Sequence, residues 1–190
     1  MADNFQLIHF PAPEYLVSYF SSLVKSEIQI INGIKTIEIN RSSDIGKIII
    51  TSIDKQSKKI KHTNLDDYYL KISNFIGNNY SGSVRGDRHF LFIEESKMNN
   101  IMEMIKHHFD YSLINFVDGA EYAHRKNGWE ENQKRKGIRK AAIQTFLQKN
   151  NVNLGNKSLE NFFKMFQRHK NNANNKNSML LEKYVQTLSF

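Results

Sequence analysis

The chain has 190 residues, 39% of them apolar and 12% aromatic, which is enough for one substantial core with an appendage and too apolar for a wholly disordered protein. It contains no cysteine, which excludes disulfides, thiolate metal centres, iron–sulfur clusters and cysteine nucleophiles. The net charge of +8 is unevenly spread: Met1–Ala123 carries 13 Lys/Arg against 15 Asp/Glu, whereas His124–Lys176 carries 13 against 3.

In chain order, Phe5 to His9 reads as a strand. Glu14 to Glu27 reads as an amphipathic helix, because Leu16, Tyr19, Phe20, Leu23 and Val24 recur at helical spacing. Asn32-Gly33 lies between the apolar runs Ile28–Ile31 and Ile34–Asn40, and this dipeptide tolerates the positive φ angles of a type I′ hairpin turn. A second turn through Ser42, Ser43, Asp44 and Gly46 leads into Lys47–Ile53, whose β-branched residues predict a third strand and an antiparallel meander. Beyond a basic connector, Lys55–His62, Asn64 is placed to cap a helix, with Asp66 and Asp67 in its first turn. Leu65, Tyr69, Ile72 and Ile76 form its stripe. The polar stretch Gly77–Arg88 predicts a loop and Phe90–Ile93 a buried strand. Met98, Ile101, Ile105 and Phe109 predict a helix, and Leu113–Val117 a last strand. Together these elements predict an α+β domain over residues 1–119, its antiparallel or mixed sheet carrying helices on one face.

A basic helical region, residues 120–170, follows. Ile138, Ala142, Ile143, Phe146 and Leu147 give Glu130–Lys149 an apolar side, and Leu159, Phe162, Phe163 and Phe166 do the same for Ser158–Lys170. Residues 171–178 form an Asn-rich linker with no means of burying itself. Residues 179–190 regain helical spacing through Leu180, Leu181, Tyr184, Val185 and Leu188, a stripe suited to self-association or to docking on a partner.

Clustered like charges repel unless an anionic partner offsets them, so the expected partner is nucleic acid. The candidate binding residues are Arg125, Lys126, Lys134, Arg135, Lys136, Arg139, Lys140, Lys164 and Arg168 for phosphates, with Trp129 and Tyr122 near enough in sequence to stack on bases. The link from Lys149 to Ser158 is longer than a helix-turn-helix allows. RNA or single-stranded DNA is therefore expected over groove reading, in a non-catalytic protein without a cofactor. A structural role in a larger assembly is a further alternative.

A second reading is enzymatic. Asp54 closes the run IIITSID, and Glu95-x-Lys97 closes FLFIEESK. A carboxylate at one strand end and Glu-x-Lys at another resembles the core of the metal-dependent nucleases of the PD-(D/E)xK kind. That resemblance implies Asp54 and Glu95 as magnesium ligands, Lys97 orienting water, and Glu14 or Glu27 as a further carboxylate. The order strand, helix, two strands, helix, strand is also similar to the ferredoxin-like arrangement of many RNA-binding modules, although their aromatic signature is absent. No segment has the roughly 18–20 apolar residues of a membrane span, and the first residues do not read as a signal peptide, so a cytoplasmic protein is expected.

Overall fold

The computed structural model describes residues 5–56, 66–73, 90–126, 135–152, 154, 158–168 and 170–172. They divide into two compact units. One contains Met1–His107 with Asn150–Asn153, and the other His108–Lys149 with Leu154–Phe190. The architecture is α+β, a mixed sheet followed by a helical C-terminal region.

In the first unit β1 (Phe5–Phe10) leads into α1 (Glu14–Val24). Pro13, with its fixed φ of −65°, precedes the helix and supplies the first carbonyl acceptor. Lys25 closes the helix in the left-handed region at φ 54°, while the Ser26 N–H reaches back to the Ser21 carbonyl at 3.0 Å, a Schellman ending. The hairpin of β2 (Ile28–Ile31) and β3 (Ile34–Glu38) turns through Asn32 at φ 51° and Gly33 at φ 80°, as a type I′ turn requires.

Two expectations fail here, each because another signal in the same residues wins. Lys47–Ile53 is not a third meander strand: Asp44–Thr51 is a helix, α2. The Ser43 hydroxyl accepts the Gly46 N–H at 3.0 Å, Asp44 complements the first turn, and Gly46 and Ile49 are buried at helical spacing. The cap and the i, i+3 burial outweigh the β-branched composition. Asn64–Ile76 is not a helix where it is described, because Tyr68–Ser73 is a strand, β5. Tyr69, Leu70 and Ile72 are buried on both faces, as befits a strand with neighbours on each side.

The four-stranded sheet has the order β1-β5-β3-β2. β5 is antiparallel to β1, with Ile8 opposite Leu70, and parallel to β3, with Ile37 beside Leu70. One face gathers Ile8, Phe10, Ile37, Leu70 and Ile72, all buried, and Phe20 of α1 meets Phe10 at 5.3 Å between ring centroids. A two-stranded sheet of β4 (Asp54–Gln56) and β6 (Phe90–Phe92) is tied to β1 where the Leu91 N–H donates to Gln6 Oε1 at 2.8 Å.

α3 runs from Glu95 to Lys126. The expected strand at Leu113–Val117 is absent, because Met98, Ile101, Ile105, Phe109, Leu113, Val117 and Glu121 form one continuous buried line at three- and four-residue spacing. α4 (Arg135–Lys149) and α5 (159–168) complete the helical unit, and residues 170–172 are again helical. The Asn-rich segment from 173 and the stripe Leu180, Leu181, Tyr184, Val185 and Leu188 lie outside the described residues, as does the loop Gly77–Arg88.

Gly46 tests the α2 assignment. A Cβ there would stand 1.9 Å from the Asn40 carbonyl oxygen. Alanine normally gains about 1 kcal/mol over glycine inside a helix, but this clash reverses the sign, so Gly46→Ala is expected to lose at least about 1 kcal/mol in urea unfolding.

Candidate nucleic-acid interface

The helical unit first satisfies a buried acid. Glu121, 4% exposed, sits in the line of α3 that faces α4 and α5. The Arg139 Nε donates to its Oε1 in a short contact, and Lys170 Nζ lies 3.4 Å from its Oε2 and 2.6 Å from Asp118 Oδ1. Both cations also cover the Phe166 ring, at 5.5 Å for Arg139 and 5.6 Å for Lys170. Lys140 pairs with Glu160 at 2.6 Å and lies over Phe163, while Lys149 covers Phe116. Phe109 packs its ring against Phe146 and Phe162, so aromatic burial and ion pairing close the same three-helix contact.

The candidates read from sequence therefore separate. Arg139 turns inward onto Glu121, and Lys140, its side chain 37% exposed, ties α4 to α5 through Glu160. Among its described side chains α4 exposes Gly137, Ala141, Gln144, Thr145 and Gln148, with Lys149 at the end. Arg135 and Lys136 open α4, but their side chains, like Lys134 and Trp129 as a whole, lie outside the described residues. Arg125 and Lys126 are exposed in the last turn of α3, where cations complement the helix dipole. Lys164 and Arg168 are exposed one turn apart on α5, with no ion pair among the described residues.

One feature was missed in the sequence. The outer face of α5 carries Asn161, Lys164, Gln167 and Arg168, all exposed, together with Glu160, one turn before Lys164, whose carboxylate is paired with Lys140. The spacing of Phe162, Phe163 and Phe166 defines the opposite face and thus contained this signal. Tyr122, offered by the sequence as a residue on which bases could stack, is 69% exposed, with Arg125 and Lys126 three and four residues on and therefore on its side of α3. Asp118 lies one turn before Tyr122 on the same side, so its pairing with Lys170 brings the end of α5 beside this tyrosine.

The proposed nuclease residues divide as well. Asp54, at the start of β4, takes a 2.6 Å hydrogen bond from Lys97 Nζ. Glu95 and Lys97 stand in the first turn of α3 rather than at a strand end, since β6 stops at Phe92. Glu95 is exposed and instead lines a cleft of about 420 Å³ with Leu7, His9, Phe92 and Met98. His9 is held there by Asp67 at 2.9 Å. Among the described residues no three His, Asp or Glu side chains are placed to hold a metal ion, so no catalytic step is derived through magnesium.

Comparison with protein-family models, curated proteins and solved structures finds no match. Among the described residues no helix is long and apolar enough to cross a membrane.

Two measurements follow. Removing Arg139 leaves Glu121 buried with one cation fewer, so Arg139→Met should cost about 3–5 kcal/mol in chemical unfolding. Lys164→Gln and Arg168→Gln should stay within about 0.5 kcal/mol of the parent. In the first unit, the hydrogen bond to Asp54 raises the Lys97 pKa above the ordinary lysine value, helped by the charges of Asp54 and Glu94 against partial desolvation. A lysine raised in this way contributes its stability fully below its unfolded pKa and loses it as pH rises through the higher folded value. Asp54→Asn should therefore lower the Lys97 titration midpoint, read from its Nζ resonance by NMR.

Proposed function

We propose that the protein binds nucleic acid without catalysis, RNA or single-stranded DNA in preference to duplex, through the outer face of α5 and the end of α3. The observation that carries this reading is a helix face of lysine, arginine and amide side chains on which the one acid among the described residues, Glu160, is already paired with Lys140. Lys164 and Arg168 neutralise phosphates and release condensed counterions, while Asn161 and Gln167 donate to phosphate, sugar and base edges. Tyr122, exposed and accompanied by Arg125 and Lys126, offers a ring on which an unpaired base stacks; this favours single strands, because paired bases are not free to stack on a side chain.

The ion pairs that Arg139, Lys140 and Lys170 make with acids of the same unit favour α5 over these three cations. Among the described residues, the exposed cations of His124–Lys176 other than Lys149 lie on the two elements named. A cytoplasmic location is part of the same proposal. A nuclease has less support: the Asp54–Lys97 pair is the one element of that reading that comes together.

Binding of labelled single-stranded RNA, single-stranded DNA and duplex DNA, each with and without magnesium, tests the proposal. Retention of single strands without cleavage is expected. The Lys164→Gln, Arg168→Gln double variant should flatten the slope of log affinity against log salt by about 1.5, at roughly 0.7–0.9 per phosphate contact. Tyr122→Ala should lose about 1–3 kcal/mol of binding with the slope unchanged. An unaltered slope in the double variant would place the contacts elsewhere, and magnesium-dependent cleavage would overturn the non-catalytic reading.

A further inference from the structure

The four-stranded sheet ends on one side at β2, and this edge is unprotected. Ile28 and Ile30 are 38% and 73% exposed, yet they stand on the face that is fully buried further into the sheet, at Ile37 and Leu70. The two-residue turn fixes which backbone groups face outward. In a hairpin closed by Asn32-Gly33, Ile31 and Ile34 exchange backbone hydrogen bonds, and two residues back Gln29 and Thr36 do the same. The Gln29 carbonyl also accepts the Thr36 hydroxyl at 3.2 Å, which confirms that it faces β3. The N–H and C=O groups of Ile28 and Ile30 therefore point away from β3, and no strand pairs with that side among the described residues. With no proline, lysine or bulge inside β2, nothing in the strand discourages pairing.

We propose that β2 pairs with β2 of a second copy of this chain, antiparallel, about a twofold axis through Gln29. In a closed twofold dimer a strand edge meets its own image antiparallel, residues of one face opposite residues of the same face. That leaves few registers. An axis at Ile30 sets Ile28 against Asn32, which is committed to the turn at φ 51°. An axis at Ile28 sets Ile30 against Ser26, whose N–H is already given to the Ser21 carbonyl. The axis at Gln29 uses every free group: Ile28 of each copy exchanges both backbone hydrogen bonds with Ile30 of the other. Their side chains then meet as isoleucine pairs on one face, and the two Gln29 amides meet on the other, positioned to bond each other. The complementarity is that of the strand with itself, and it makes a second copy a better occupant than an unrelated extended segment.

The absence of cysteine makes the test direct. In the proposed register the two Gln29 Cα atoms form a non-hydrogen-bonded pair about 4.5 Å apart, inside the roughly 4.4–6.8 Å that a disulfide spans. Mild oxidation of Gln29→Cys should give a covalent dimer, while Gln148→Cys, exposed on α4, stays monomeric at the same concentration. Ile30→Lys should keep the far-ultraviolet circular dichroism and halve the mass that light scattering gives for the parent chain. Equal crosslinking of the two cysteine variants, or a parent chain that remains monomeric as concentration rises, overturns the proposal. Association that survives Ile30→Lys but disappears when residues 179–190 are deleted also overturns it, and assigns the contact to the tail.

Discussion

A charged carboxylate in a protein interior is costly unless cations or hydrogen bonds meet it, and the helical unit meets one at Glu121. Glu121 takes Arg139 from α4 and Lys170 from the segment after α5, so a single acid fixes the approach of two elements to α3. Phe166 lies under both cations. Such an arrangement contributes little net stability against an apolar equivalent, but losing one member leaves an unpaired charge in low dielectric. Its second effect is on the surface. Each cation paired within the unit is removed from the charge available to a partner, which leaves Lys164 and Arg168 of α5 exposed with no ion pair among the described residues.

This redistribution was not legible in residue counts. The excess of basic residues after Ala123 is real, but the acids that consume part of it, Asp118 and Glu121, lie just before that boundary on the same helix. Spacing would have helped more than composition. Phe162, Phe163 and Phe166 correctly mark the inner side of α5, and the residues between them define what remains outside. By contrast, Arg139 sits beside the buried positions Ala142 and Ile143 of α4, and only the location of Glu121 shows that it is drawn in.

In the sheet, local chemistry was readable where one residue type permits one geometry. Asn32-Gly33 specifies its turn through positive φ, and the strands on either side follow. Where two periodicities coexist, tertiary neighbours decide. Tyr69 and Ile72 suit a helical stripe, while Leu70 and Ile72 suit a strand; the space between β1 and β3 selects the strand. Likewise Lys47–Ile53 offers β-branched residues to a sheet, but Ser43 starts a helix before any strand partner is reached. The Leu113–Val117 error has another origin, a buried stripe that simply continues past Phe109.

The central place of β5 bears on the order in which the chain acquires structure. Of the four paired strands it is the last to be synthesised, yet both β1 and β3 depend on it for a neighbour, with Phe5 opposite Ser73 at one extreme. The β2–β3 hairpin closes locally and early, whereas the parallel β3–β5 contact must wait for a crossover to be completed. A nascent chain that has not yet emerged as far as Ser73 therefore holds a hairpin with two open edges and an isolated β1. Insertion of a single strand between them converts these separate pieces into a sheet.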